Sequence, residues 1–377
     1  MILAMALLLQ SAYALLVWRL GRALARPDKE RAAGNADCAG ISVVIAARNE
    51  EQRIAGTLAA LEAQSLERGR WELLVVDDRS RDGTAAVARA VLERLAAAGV
   101  AGRLLATTAE RSGKKAAIDL GARAARHPWI AVLDADSRPG PRWLESLAAA
   151  ARPGTGLLAG LVLFEADSLF TRVLRLEYAG LLGAGLATFR LGRALYASGA
   201  NLCTRVAAYH EAGGYQGLEH VASADDTLLI QRLRLRTAWR LEALLDPAAA
   251  VTTRAPATLV ALWRQRARWS STERHLPDRA ALAAAVGLYL VFLVTVLALP
   301  LAALGALSWG GALLLILLKL LPDAHLVSQA ARLLGVARDL GLFPLAWLLQ
   351  LGYGLTAPWA GTFGRMAWRG AAAEGRP

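Results

Sequence analysis

Apolar residues follow two patterns along this chain: short runs separated by amphipathic stretches in the middle, and long unbroken runs toward both ends. Ile41-Ser42-Val43-Val44-Ile45-Ala46-Ala47 is a short β-branched run that reads as a buried strand, and Asn49-Glu50-Glu51 opens an amphipathic stretch through Leu66. Trp71 to Val76 is a second run, closed by Asp77-Asp78 and the turn residues Ser80, Asp82 and Gly83, with a helical pattern from Thr84 to Ala98 behind it. Trp129 to Leu133 is a third, ending at Asp134-Ala135-Asp136 with Pro139 and Pro141 beyond. Strands alternating with helices predict an α/β fold, a mostly parallel sheet with helices on both faces. Such sheets bind ligands at the carboxyl ends of their strands, and here acids stand at those ends.

The long runs predict membrane segments. Ala280 to Leu318 carries no charge and is long enough for two passes, with a break expected between Pro300 and Gly310-Gly311; a helix crosses the ~30 Å hydrocarbon core with about 20 residues. Leu340 to Gly364 is long enough for one pass, made irregular by Pro344, Gln350 and Pro358. At the start, Ile2 to Trp18 is apolar apart from Gln10 and Ser11, and Arg19, Arg22, Arg26, Lys29 and Arg31 follow it. A secretory signal carries its positive charge before the apolar stretch, so an uncleaved anchor is expected, with the chain from Arg19 onward in the cytoplasm. The expected organisation is an N-terminal anchor over 1–20, a cytoplasmic domain over 38–275, and transmembrane or interfacial helices over 280–364, in a multi-pass protein of the inner (plasma) membrane. Four full spans would put both termini outside, against the basic Arg365, Arg369 and Arg376; segment 340–364 is therefore expected to lie in the interface or re-enter, leaving the C-terminus cytoplasmic.

Composition narrows the function classes. At 55% hydrophobic and 20% charged residues, the 377-residue chain is too apolar for a disordered or nucleic-acid-coating protein, and no nucleic-acid partner is expected. Lys+Arg 43 against Asp+Glu 31 gives +12, and Lys29, Lys114, Lys115 and Lys319 are the only lysines. An arginine excess suits phosphate groups, nucleoside diphosphates and acidic lipid head groups. Cys38 and Cys203 lie far apart in sequence with no CxxC, which removes a disulfide framework and a thiolate zinc site. No GxGxxG follows a strand and no GxxxxGK precedes a Ser or Thr, so neither a dinucleotide fold nor a P-loop ATPase is supported. His210 and His220 have no partner in the sequence and read as turn or surface residues, and Cys203 as a packed thiol. Leu169 to Leu195 suits either an interfacial helix or core packing. Taken singly, Asp77-Asp78 is also a good turn, Asp225-Asp226 a good helix start, and Leu262 to Trp269 an interfacial helix.

In order, these pieces resemble the membrane-bound family 2 glycosyltransferases, which have the GT-A-like, Rossmann-type fold. The resemblance covers roughly residues 40 to 270 and rests on six motifs. Val43 to Glu51 is similar to the family's opening strand and Asn-Glu turn, with Arg48 where Tyr is common. Val75 to Thr84 resembles its nucleotide-binding turn, and Gly113-Lys114-Lys115 to Asp119 its Gly-Lys loop. Asp134-Ala135-Asp136 matches the metal-binding DxD. Asp225-Asp226 stands where Glu-Asp is usual, and Gln265-Arg266-Ala267-Arg268-Trp269 matches QxxRW. The resemblance implies that Arg48, Glu50, Asp77, Asp78, Lys114 and Asp134 bind the donor nucleotide, and that Asp136 with Asp134 holds Mg²⁺ or Mn²⁺. It implies Gln265, Arg266, Arg268 and Trp269 at the diphosphate and acceptor, with Asp226 as general base and Asp225 beside it in support. The implied reaction is inverting transfer of a sugar, hexosyl in type, from a nucleotide-sugar donor such as a UDP-sugar to a lipid or lipid-linked acceptor. A processive polysaccharide synthase is the alternative within the class, and an inactive membrane scaffold keeping the fold is the alternative outside it.

Overall fold

The computed structural model describes residues 2–26, 38–218, 221, 225–271 and 278–363. Lys29, Arg31, His220, Ser223, Ala224 and the C-terminal Arg365, Arg369 and Arg376 lie outside the described residues. In chain order the helices are α1 (Ile2–Ala25), α2 (Glu51–Glu62), α3 (Thr84–Ala97), α4 (Lys114–Ala124), α5 (Trp143–Ala150), α6 (Leu169–Arg190), α7 (Val206–Glu211), α8 (Asp225–Arg236), α9 (Leu259–Ser270), α10 (Arg279–Ala303), α11 (Trp309–Leu333) and α12 (Phe343–Phe363). The strands are β1 (Ile41–Ala47), β2 (Trp71–Asp77), β3 (Ala101–Ala106), β4 (Trp129–Asp134), β5 (Ser137–Pro139), β6 (Thr155–Gly160), β7 (Val162–Glu165), β8 (Leu202–Arg205), β9 (Arg240–Leu244) and β10 (Val251–Arg254).

Two compact units result. One holds residues 38–163 and 193–254, the other the N-terminal helix, residues 164–192 and the chain from Ala255 onward. The first is built on a seven-stranded sheet of order β3-β2-β1-β4-β8-β6-β9. β1 pairs in parallel with β2 and β4, β2 with β3, and β6 with β9, whereas β8 runs antiparallel to both β4 and β6. The sheet is mixed and mostly parallel, as the sequence predicts. β1, β2 and β4 are buried along nearly their whole length, which is why their sequences are continuous apolar runs rather than alternating ones. Helices supply the covering faces at helical spacing: Ile54, Leu58 and Leu61 on α2, and Ala88, Val91, Leu92 and Leu95 on α3. Gly121 brings α4 onto β1, since a Cβ there would lie 2.5 Å from Val44 Cγ1.

The second unit is helical. Four of its segments, Leu3–Ala25, Arg279–Ala303, Trp309–Leu333 and Ala337–Gly361, are long and apolar enough to cross a membrane. α10 and α11 part at residues 304–308, where Ser308 caps α11 by accepting from Gly311 N. α12 runs through both prolines. Pro344 stands in the first turn, where a backbone N–H has no intrahelical partner to lose, and Pro358 is absorbed inside the helix. α6, from the stretch that read equally as interfacial or core, is buried over most of its length and starts with a Ser168–Thr171 capping box. Gly180 and Gly183 let it close onto α11, where Val327 and Ala330 occupy the space a Cβ would take.

Candidate active site

β1, β2 and β4 end side by side. Their register sets Ala47 opposite Asp77 and Ala46 opposite Asp134, so the residues after all three strands share one edge of the sheet. That edge includes the point where the strand order turns back from β1 to β4.

The loops after β1 and β2 are laced together. Asn49 N donates to Ser80 Oγ (3.0 Å), Arg81 N to Asn49 Oδ1 (2.8 Å), Glu50 N to Thr84 Oγ1 (2.9 Å) and Gly83 N to Glu51 Oε2 (3.0 Å). Among the described non-glycine residues only Asn49 (φ 55°) and Arg79 (φ 60°) have positive φ, and both sit in these loops. For Arg79 the conformation costs on the order of 1 kcal/mol, held by the surrounding hydrogen bonds. The Glu50 carboxylate turns to Arg53 at 3.0 Å, and Asp77 Oδ1 accepts from Ser80 N.

Asp78 is fully buried. Its Oδ1 accepts from Gly113 N (2.8 Å) and Thr107 Oγ1 (2.7 Å), and its Oδ2 faces Arg48 Nη1 at 3.6 Å without a hydrogen bond among the described residues. Asp78 thereby ties the end of β2 to the glycine that opens α4. Gly113 holds φ 99°, a conformation open to glycine, and launches Lys114 from the first position of the helix.

Lys114 joins the two acidic motifs. Its Nζ lies 2.8 Å from Asp134 Oδ1 at the end of β4 and 2.9 Å from Asp225 Oδ2 at the start of α8. Asp136 is half-buried two residues past Asp134. The carboxyls of Asp225 and Asp226 diverge: Asp225 turns to Lys114, while Asp226 Oδ2 accepts from Gly199 N (2.9 Å) and its Oδ1 from Thr227 N (2.6 Å). Gly199 is what permits this approach, because a Cβ there would stand 3.2 Å from Asp225 Oδ2 and 3.3 Å from Asp226 Oδ2. Burial raises the pKa of Asp225, but Lys114 and Lys115 outweigh it and hold the group below the usual carboxylate range. Burial, and then the neighbouring Asp225 charge, push Asp226 up to about 6. Lys114 stays charged, since Asp134 and Asp225 raise it against its own burial. Adjacent carboxyls whose pKa values are driven apart are a common mark of acid–base chemistry.

Gln265, Arg266, Arg268 and Trp269 lie on α9, in the helical unit. Gln265, Arg268 and Trp269 are half-buried and Arg266 is buried. Three participants carried no local signal in the sequence: Thr107, Gly199 and the Val221 carbonyl that takes the buried Lys115 ammonium. Each becomes visible only when distant segments meet. His210 is exposed on α7, edge-on to Tyr209, and both cysteines are buried thiols outside any disulfide.

Comparison with known proteins decides the family. The pattern described as Glycosyl transferase family group 2 matches residues 129–357, and that described as Glycosyl transferase family 2 matches residues 42–212. The chain belongs to the family 2 glycosyltransferases. Over 134 residues (35% of this chain) it is 35% identical to an undecaprenyl-phosphate 4-deoxy-4-formamido-L-arabinose transferase of Pseudomonas aeruginosa, a match spanning 38% of that relative's length. Over 128 residues it is 30% identical to glycosyltransferase AglE of Haloferax volcanii, covering 33% of this chain and 40% of that one. The mannosyltransferase PcManGT of Pyrobaculum calidifontis, solved with GDP-Man and Mn²⁺, shares the fold at a TM-score of 0.57 and 18% identity, over 96% of this chain and 98% of its own.

Proposed function

We propose that the protein transfers one sugar, with inversion, from a nucleoside-diphosphate donor to a lipid or lipid-linked acceptor, working at the inner membrane with its sheet unit in the cytoplasm. The observation that carries the reading is the Lys114 bridge, which gathers the acids after β4 and the acids opening α8 around one cation.

Asp78, Asp77, Glu50 and Arg48 would bind the donor nucleotide. The Oδ2 of Asp78, ion-paired with Arg48 but without a hydrogen bond among the described residues, suits an N–H or O–H donor of the base or ribose, and the planar Arg48 guanidinium beside it can stack on a ring. Among the described residues no group of three or more His, Cys, Asp or Glu side chains is placed to hold a metal ion by itself. Asp134 and Asp136 offer hard oxygens without thiolate or imidazole, a donor set that fits Mg²⁺ or Mn²⁺ when diphosphate oxygens and water complete the shell. Asp136, with Asp134, would hold that ion, whose chemistry is to neutralise charge on the leaving diphosphate. Lys114 would add a second positive charge there, and Gln265, Arg268 and Trp269 would bind the diphosphate and shape the acceptor site. Asp226 would take the proton of the acceptor's attacking oxygen, an alcohol O–H or the P–OH of a lipid monophosphate; one base and no enzyme nucleophile gives a single in-line displacement and hence inversion.

UDP- and GDP-sugars presented with Mg²⁺ or Mn²⁺ and a polyprenyl phosphate should give metal-dependent release of the nucleoside diphosphate and one glycosylated lipid. Release without any panel member reaching the lipid would remove the acceptor assignment, and a long polymer product would favour a processive synthase. No release from any donor would favour the scaffold reading.

A further inference from the structure

Arg266 stands inside the Gln265-to-Trp269 motif, yet it is only 4% exposed. Its Nη2 lies 2.5 Å from Glu177 Oε2 on α6, and the other Glu177 oxygen accepts the Tyr353 hydroxyl of α12. Its Nη1 donates to Gln265 Oε1 at 3.1 Å, and its guanidinium lies over the Trp269 ring, 4.3 Å from the centroid, with the Tyr353 ring at 5.5 Å. One buried cation therefore touches two other residues of its own motif and is anchored by two further helices.

The backbone around it is fixed as well. A Cβ on Gly361 of α12 would stand 2.4 Å from Ala267 O, and Trp263 Nε1 donates to Thr356 Oγ1 at 3.1 Å. Trp263 and Ala267 stand one turn apart on α9 and Ser271 follows at its C-cap, where the same Cβ would lie 2.8 Å from Ser271 N, so α12 lies along that face. Tyr178, next to Glu177, stacks on Phe164 at 4.2 Å and meets Trp269 at 6.2 Å.

We propose that Arg266 is a positioning residue: held by Glu177 and Tyr353, it sets the plane of the Trp269 ring and the direction of the Gln265 amide without itself touching substrate. The consequence for transfer rests on the proposed function, in which Trp269 shapes the acceptor site. A lysine keeps the charge but lacks the flat fork that pairs with Glu177, bonds Gln265 and covers an indole face together. Removing one partner strands a buried charge, whereas removing both need not destabilise.

The test uses the full chain in lipid nanodiscs, comparing the parent with Arg266→Lys, Glu177→Gln and the double variant Glu177→Gln/Arg266→Met. The readouts are sugar transfer to polyprenyl phosphate, Mn²⁺-dependent binding of UDP and GDP, thermal midpoint, and amide exchange over residues 259–270. Arg266→Lys and Glu177→Gln should lower transfer by about tenfold or more, through kcat or the acceptor KM, and speed exchange in α9. Nucleotide binding should stay within about twofold. The double variant should regain the parent's thermal midpoint without regaining transfer. Parent-like transfer by Arg266→Lys, or transfer restored together with stability in the double variant, would overturn the assignment. So would nucleotide binding that falls in step with transfer, which would mean direct donor contact. A parent that transfers nothing defeats the proposed function instead, and the exchange arm then decides: unchanged α9 amides in Arg266→Lys defeat this inference too.

Discussion

Asp226 is the residue whose charge state matters most to the proposed chemistry. With its carboxyl pushed up to about 6 by burial and by Asp225, it is protonated in the free enzyme below that pH and cannot accept a proton. kcat/KM should therefore fall as pH drops through about 6, since that ratio reports the free enzyme's groups. Lys114 favours the ionised form, so Lys114→Met should move this acid limb to higher pH; a limb that stays or moves down would count against the Lys114–Asp226 coupling. Asp226→Asn keeps the size and the acceptor for Gly199 N but cannot take a proton, and transfer should fall by about 10²–10⁴ while nucleotide binding persists. Transfer surviving in Asp226→Asn but lost in Asp225→Asn would assign the base to Asp225. Asp136→Ala should abolish Mn²⁺-dependent nucleotide binding in calorimetry and leave the thermal midpoint unchanged; unaltered affinity would sink the metal assignment. These acids were legible in the sequence because each follows an apolar run or opens a periodic one. Their partners were not: Gly199 stands 27 residues before Asp226 and belongs to no motif, and nothing local says that Lys114 reaches both acidic clusters.

At the scale of elements, β1, β2 and β4 follow directly from runs such as Val43-Val44-Ile45 and Leu73-Leu74-Val75-Val76, because a strand buried on both faces leaves a continuous apolar signature, and α2 and α3 follow from the amphipathic stretches behind the first two. In the other half of the sheet only the run around Cys203 reads as strand-like. β8 is only Leu202–Arg205 and runs antiparallel, and its placement depends on Asn201 just before it. The buried Asn201 accepts from Trp143 Nε1 of α5 at 2.9 Å and donates to the carbonyls of Leu161 (2.9 Å) and Ala249 (2.8 Å). Asn201→Ala leaves the Trp143 indole N–H and the Ala249 carbonyl without these partners, while the Leu161 carbonyl keeps Val251 N; at about 1–3 kcal/mol for each orphaned group, a loss of about 2 kcal/mol or more is expected from chemical denaturation. Gly160→Ala should act on the same joint, because its Cβ would stand 2.3 Å from Asn201 Nδ2. Stability unchanged in both variants would show that this joint is not structural. α12 is continuous where its prolines predict an irregular segment: Pro344 stands in the first turn, where no intrahelical N–H bond exists to lose, and Pro358 lies inside the helix without ending it.

At the scale of the molecule, the helical unit is organised by charge as much as by apolar packing. Lys319, fully buried on α11, pairs with Asp323 one turn on at 2.6 Å. Asp323 also accepts from the Tyr13 hydroxyl of α1 (2.5 Å) and from Trp347 Nε1 of α12 (2.9 Å), while the Lys319 ammonium lies 4.3 Å from the centroid of Phe292 on α10. All four membrane-length helices thus meet at one ion pair. Gln10 of α1 extends the polar seam by donating to Thr295 Oγ1 (2.9 Å) and Val291 O (3.2 Å) of α10. In hydrocarbon each of these groups is costly alone; together they are hydrogen-bonded apart from Gln10 Oε1, which has no partner among the described residues. Lys319→Met should strand the Asp323 carboxylate, and Asp323→Leu should strand the ammonium, each lowering stability by about 3–5 kcal/mol. The double variant Lys319→Met/Asp323→Leu removes both charges at similar volume and should recover most of that loss, although Tyr13 and Trp347 each lose an acceptor. Thermal midpoints in nanodiscs measure all three. If the double variant is as unstable as the worse single one, the helices depend on the hydrogen bonds to Asp323 rather than on neutralising Lys319, and Tyr13→Phe with Trp347→Phe should then reproduce the defect with the ion pair intact.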